Sequence, residues 1–185
     1  MDYAKKAKQI IGELDQVFER LDAGSIEAFV AEIQKAKRII TIGVGREGLS
    51  TRAFTMRLMH LGFDVHWVWD DTTPSLGAGD LLIATSGCGE IGHIHYVIEK
   101  AKSRGARVAL VTGDPYKKSA PLADCVLFVP ASVYLGTADV VPSCQPMGNL
   151  FEQSLLIAFD MIVMDLTERR GMTKEKMEGN HRNLE

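Results

Sequence analysis

Cysteine is scarce in this chain, and its three copies, Cys88, Cys125 and Cys144, lie far apart. An odd number, without a C-x-x-C pair or a histidine at ligand spacing, excludes a disulfide framework and a thiolate zinc site. Charge of one sign is also missing. The 21 basic and 24 acidic residues leave a formal net charge of -3, which gives no electrostatic reason for nucleic-acid binding. No apolar run approaches the roughly 18 residues of a membrane span. Residues 1–21 are charged where a signal peptide would carry its apolar stretch. These absences point to a cytoplasmic protein with neither membrane nor nucleic acid as a partner. Repeats and low-complexity segments are absent too, so residues 1–185 read as one domain, long enough to bury about 70% of its unfolded surface.

Apolar residues fill what remains, in two alternating rhythms. Ile10, Leu14, Val17, Phe18 and Leu21 recur at helical spacing, which predicts an amphipathic helix over 3–21. Ser25 reads as the N-cap of a second helix carrying Ile26, Phe29, Val30 and Ile33. From Arg38 the period changes. Strands are expected at 38–42, 64–69, 80–85, 107–112 and 124–129, with helices at 48–61 and 89–104 and a short piece at 116–122. Nearly all-apolar strands separated by helices imply a parallel sheet covered on both faces, an α/β architecture. Residues 130–146 carry three of the six prolines and few periodic positions, which suits an active-site loop or an ordinary surface loop. The stretch 147–170 predicts one long helix, apolar on more than one face, with Met161 and Met164 read as core. So much apolar surface implies burial partly against a second subunit.

Two small-residue turns follow strands. Gly43-Val44-Gly45-Arg46-Glu47-Gly48 spells G-x-G-x-x-G, and Thr85-Ser86-Gly87-Cys88-Gly89-Glu90 forms a second turn before a helix. Backbone N–H groups at helix N-termini bind anions. The first turn, with Asp70 or Asp71 placed to meet a ribose, fits a dinucleotide and hence an oxidoreductase. That reading leaves the second turn without a duty. A sugar phosphate uses both.

Larger blocks of the chain resemble the 6-phospho-3-hexuloisomerases of the sugar isomerase (SIS) superfamily. They are Gly43-Val44-Gly45-Arg46, residues 53–63, residues 79–84, the run Gln145-Pro146-Met147-Gly148-Asn149-Leu150-Phe151-Glu152-Gln153, and the closing His181-Arg182-Asn183-Leu184-Glu185. The resemblance runs in order along essentially the whole chain. It implies a three-layer α/β/α sandwich of flavodoxin-like type with a five-stranded parallel sheet and a long C-terminal helix. It further implies a homotetramer with sites at subunit interfaces, interconversion of a 3-hexulose 6-phosphate with fructose 6-phosphate, and no metal or redox cofactor. SIS domains also serve regulators, so a non-catalytic phosphosugar-sensing module is the alternative. No helix-turn-helix segment accompanies the domain.

The resemblance assigns Glu152 as the base and His181 as a proton-shuttling partner. Moving a carbonyl between neighbouring carbons needs a carboxylate of raised pKa to carry the carbon-bound proton. Placed in the first turn of a helix, Glu152 would equally complement the helix dipole. Substrate and phosphate contacts are expected at Gly45, Arg46, Glu47, Ser50, Thr85, Ser86, Cys88 and Glu90, with Thr51 as a further hydroxyl. Three positions depart from the family pattern: Glu47 stands in a G-R-S-G motif, and Cys88 and Ile91 stand in S-G-S-G-E-T. A carboxylate 4 Å from a phosphate charge costs about 1 kcal/mol in water and about 4 kcal/mol near a protein surface. Glu47 is therefore expected to point away, to pair with Arg46, Arg52 or another basic group, or to mark a changed ligand.

Overall fold

The computed structural model describes residues 1–184; Glu185, the last residue of the closing motif, lies outside the described residues. Five parallel strands form one sheet in the order β2-β1-β3-β4-β5, where β1 is Ile39–Ile42, β2 Val65–Trp67, β3 Leu81–Thr85, β4 Arg107–Thr112 and β5 Cys125–Phe128. This is the flavodoxin-like order, and the sequence reading of five parallel strands holds. Ile42 pairs with Ala84 in register, so β1 and β3 end side by side at the carboxyl edge, where the strand order reverses and ligands bind in such sheets.

Helices cover both faces unequally. On one face, α2 (Ala23–Lys35), α3 (Gly45–His60) and α5 (Asn149–Arg169) enclose the larger apolar cluster with Phe29, Phe54, Phe151 and Phe159, and α1 (Tyr3–Glu19) packs on α5. Phe54 and Phe159 stack with ring centroids 4.2 Å apart, which ties α3 to α5. Opposite them, α4 (Gly92–Ser103) lies over β3 and β4 with Ile94 and Ile98 buried against Leu82 and Leu110. The last helix, α6 (Lys174–Asn180), rests near α3.

Beyond shifts of a few residues at element ends, the structure differs from the sequence reading in three places. α2 starts earlier because Asp22, not Ser25, is the N-cap: its carboxylate accepts from Ser25 N at 2.7 Å. Residues 116–122 yield only a 3-10 turn at Ala120–Leu122. Met161 and Met164 are not core, since they lie on the side of α5 away from buried Phe159 and Ile162 and are 42% and 66% exposed.

Candidate active site

The first glycine turn is fixed by backbone contact. A Cβ on Gly48 would stand 2.9 Å from the carbonyl carbon and oxygen of Gly43, so only hydrogen at that position lets α3 start hard against the end of β1. The turns after β1 and β3 then form two walls of a cavity of about 260 Å³ lined by Gly45, Arg46, Glu47, Gly87, Cys88 and Ile91. The third wall is the start of α5 with Met147, Gly148, Phe151 and Glu152, and the 130–146 loop adds Val133, Tyr134 and Leu135. The N-termini of α3 and α5 and the turn leading into α4 thus open on one space, and the partial positive charge of helix N-termini favours an anion there.

Glu47 does neither of the two structural things expected of it. Its side chain turns inward, and Oε2 accepts a hydrogen bond from Gly87 N at 2.7 Å, bridging the two turns. A Cβ on Gly87 would come to 3.0 Å from that oxygen and 3.3 Å from the Phe151 ring, so the glycine gives the carboxylate room for the contact. No basic group neutralises it. Burial pushes its carboxyl up to about 7, the Gly87 N–H pulls it down, and the charge of Glu152 raises it again. Arg46 turns instead to α5, where it donates to Asn149 Oδ1 and lies 3.0 Å from Glu152 Oε2. That second contact is an ion pair out of hydrogen-bonding line, so Glu152 Oε2 has no hydrogen-bond partner.

The expected hydroxyls are elsewhere. Thr85 is fully buried and shares a 2.8 Å hydrogen bond with Thr51, whose hydroxyl also donates to Glu47 O. Ser86 is fully buried, its Oγ accepting from Ile91 N at 3.4 Å, and Ser50 donates to the Glu152 carbonyl at 3.3 Å. These residues brace the turns and leave the lining to others. Glu90 faces Lys117 at 3.7 Å. His181 is further off: it stacks on His60 with centroids 4.9 Å apart, and lines a separate cavity of about 440 Å³ with Arg52, His66 and Asp70. The thirteen residue-to-residue steps along α3 from Glu47 to His60 amount to about 20 Å of helix. Glu152 and His181 of one chain are therefore not brought together, and Asp70 is in the wrong cavity to serve a dinucleotide on the first turn.

Two carboxylates outside the cavity position its loop. Glu13 accepts from Ser143 Oγ at 2.6 Å and Cys144 N at 2.9 Å, and buried Asp114 accepts from Thr137 N at 2.7 Å and Thr137 Oγ1 at 2.9 Å. Both partnerships cross more than twenty residues of sequence, and no local pattern marks them. Among the described residues no group of three or more His, Cys, Asp or Glu is arranged to hold a metal ion. None of the described helices is long and apolar enough to cross a membrane.

The sequence model of the SIS domain matches residues 32–144, which spans β1 to the loop that closes the cavity. Over 177 residues the chain is 36% identical to the 3-hexulose-6-phosphate isomerase of Bacillus subtilis, covering 96% of each protein. The chain belongs to the SIS domain family. A second SIS relative, the 3-hexulose-6-phosphate isomerase of Mycobacterium gastri, is 33% identical over 184 residues, covering 100% of this chain and 92% of that protein. A SIS crystal structure from Methanococcus jannaschii, of a hypothetical protein with an inferred 3-hexulose-6-phosphate isomerase function, superposes with a TM-score of 0.83 at 30% identity, over 98% of this chain and 99% of that one.

Proposed function

We propose that the chain is a phosphosugar isomerase that interconverts 3-hexulose 6-phosphate and fructose 6-phosphate through an enediol. The observation that carries this reading is a carboxylate, Glu152, at the rim of a cavity onto which helix N-termini converge. The convergent N-termini suit the phosphate, and Glu152 suits the carbon-bound proton. Raised toward neutrality, Glu47 is largely uncharged below pH 7 and does not repel a dianion there. The full-length likeness to enzymes named for this isomerisation supports the same substrate class.

A homotetramer is part of the proposal. Leu49 and Met56 on α3 and Leu156, Ile157, Met161 and Met164 on α5 are exposed at helical spacing on two helices that pack together, which is the surface a second copy would cover. His181 would take part only if the tail of a second copy reached the cavity, because in its own chain the tail lies at the far end of α3.

The test is turnover. Glu152→Gln keeps the shape and removes the base, and is expected to lower kcat on 3-hexulose 6-phosphate by about 10²-fold or more. Near-normal turnover would sink Glu152 as the base.

A further inference from the structure

We propose that Glu47 is a second catalytic acid–base residue of this site, moving a proton between the two oxygens of the enediol while Glu152 moves the proton between the two carbons. This rests on the isomerase reading above and deepens it.

Four observations carry it. Glu47 and Glu152 line the same cavity, from α3 and α5 respectively. One oxygen of Glu47 is held by Gly87 N, whereas Oε1 has no hydrogen-bond partner among the described residues and is not sealed away. Within its own chain, the residue that the family resemblance would use as shuttle, His181, lines a different cavity. The other polar side chains lining the cavity suit the task poorly: Arg46 is committed to Asn149 and Glu152, Tyr134 sits on the outer loop, and Cys88 lies on the turn after β3. Burial and the nearby Glu152 charge keep the Glu47 proton on near neutrality, whereas Glu152 is paired with a guanidinium. A buried carboxyl and an ion-paired carboxyl lining one cavity are the arrangement in which an acid and a base can work together.

The step balances without a co-reactant. Glu152 carboxylate takes the proton from C2 as Glu47 gives its proton to the C3 oxygen, leaving the 2,3-enediol. The C2 hydroxyl then returns a proton to Glu47 as Glu152 delivers its proton to C3. The carbonyl has moved from C3 to C2, and both carboxyls regain their starting states.

Glu47→Gln keeps a hydrogen-bond acceptor for Gly87 N and cannot transfer a proton. The wild type is expected to lose kcat as pH rises through about 7, and Glu47→Gln is expected to lower kcat by about 10²-fold, with KM changed less than about threefold, and to abolish that pH-dependent loss. Glu47→Asp, which keeps a proton on a shorter arm, is expected to recover part of the lost kcat. Glu47→Ser, which restores the hydroxyl of the family motif, is expected to lower KM at pH 8 by removing the charge while lowering kcat as Gln does. Thermal unfolding of each variant at pH 5 checks that the fold is intact. If Glu47→Gln keeps more than about a tenth of wild-type kcat, or Glu47→Asp recovers nothing over Gln, the residue only packs or binds and the proposal is overturned. Failure of the wild type to interconvert the two sugars would overturn the function and this assignment together; an active Glu47→Gln enzyme overturns this assignment alone.

Discussion

Glu47 is a residue whose placement costs the fold something at neutral pH. Its folded carboxyl titrates at about 7 against an ordinary value of 4.5, chiefly because it is buried. The folded state therefore binds a proton that the unfolded state has already released, and stability falls as pH rises between those two values. The gap corresponds to about 3 kcal/mol. Other buried carboxylates work the opposite way: burial pushes Asp114 up, but hydrogen bonds from Thr137 and Tyr116 outweigh it, and its stabilisation is lost as pH falls. The difference between wild type and Glu47→Gln isolates the first effect. Thermal melts are expected to show the variant gaining stability over the wild type from pH 5 to pH 8. A constant difference would mean that Glu47 carries no proton in that interval.

At the level of elements, the 130–146 loop matters most, because its walls rest on partners in α1 and at the end of β4. Asp114→Asn leaves one carbonyl oxygen where two carboxylate oxygens served Tyr116 N, Thr137 N and Thr137 Oγ1, so part of this loop's anchoring is lost. The expected outcome is a lower melting temperature together with a raised KM, since Val133 to Leu135 lose their footing beside the cavity. The strands and the long helix were legible in the sequence because their apolar runs have one rhythm each. α6 was not. Its sequence, Lys174-Glu175-Lys176-Met177-Glu178-Gly179-Asn180, is polar and contains glycine, and it is held by Thr173 as N-cap and by Asn180 Nδ2 donating to His60 O at 2.9 Å. The placing of the two glycine turns and Glu152 around one cavity was readable in the sequence. The fate of Ser50, Thr85 and Ser86 was not, because these hydroxyls find partners, such as the Glu152 carbonyl for Ser50 and Thr51 for Thr85, that only folding brings near. The Glu47 bridge to Gly87 spans forty residues for the same reason.

For the whole molecule, the exposed methionines and leucines of α3 and α5 set the expectation of assembly. Replacing both Met161 and Met164 by Lys places charge on that surface without touching the core. Sedimentation velocity is expected to show dissociation to smaller species. Unchanged sedimentation would place the contact elsewhere. The two faces of the sheet differ in another respect. Among the described residues, a single α-helix, α4, covers the side opposite α2, α3 and α5, and it rests on the smaller apolar cluster. The free energy of local opening follows the apolar contacts that opening breaks, so α4 is expected to open more readily than α3 or α5, which rest on the larger cluster. Such a fluctuation loosens Ile91 and Cys88 while leaving Glu152 on its firmly packed helix. The pocket thus has one yielding wall and one fixed wall, and a sugar of slightly different length is expected to be accommodated from the α4 side, with Glu152 held in place.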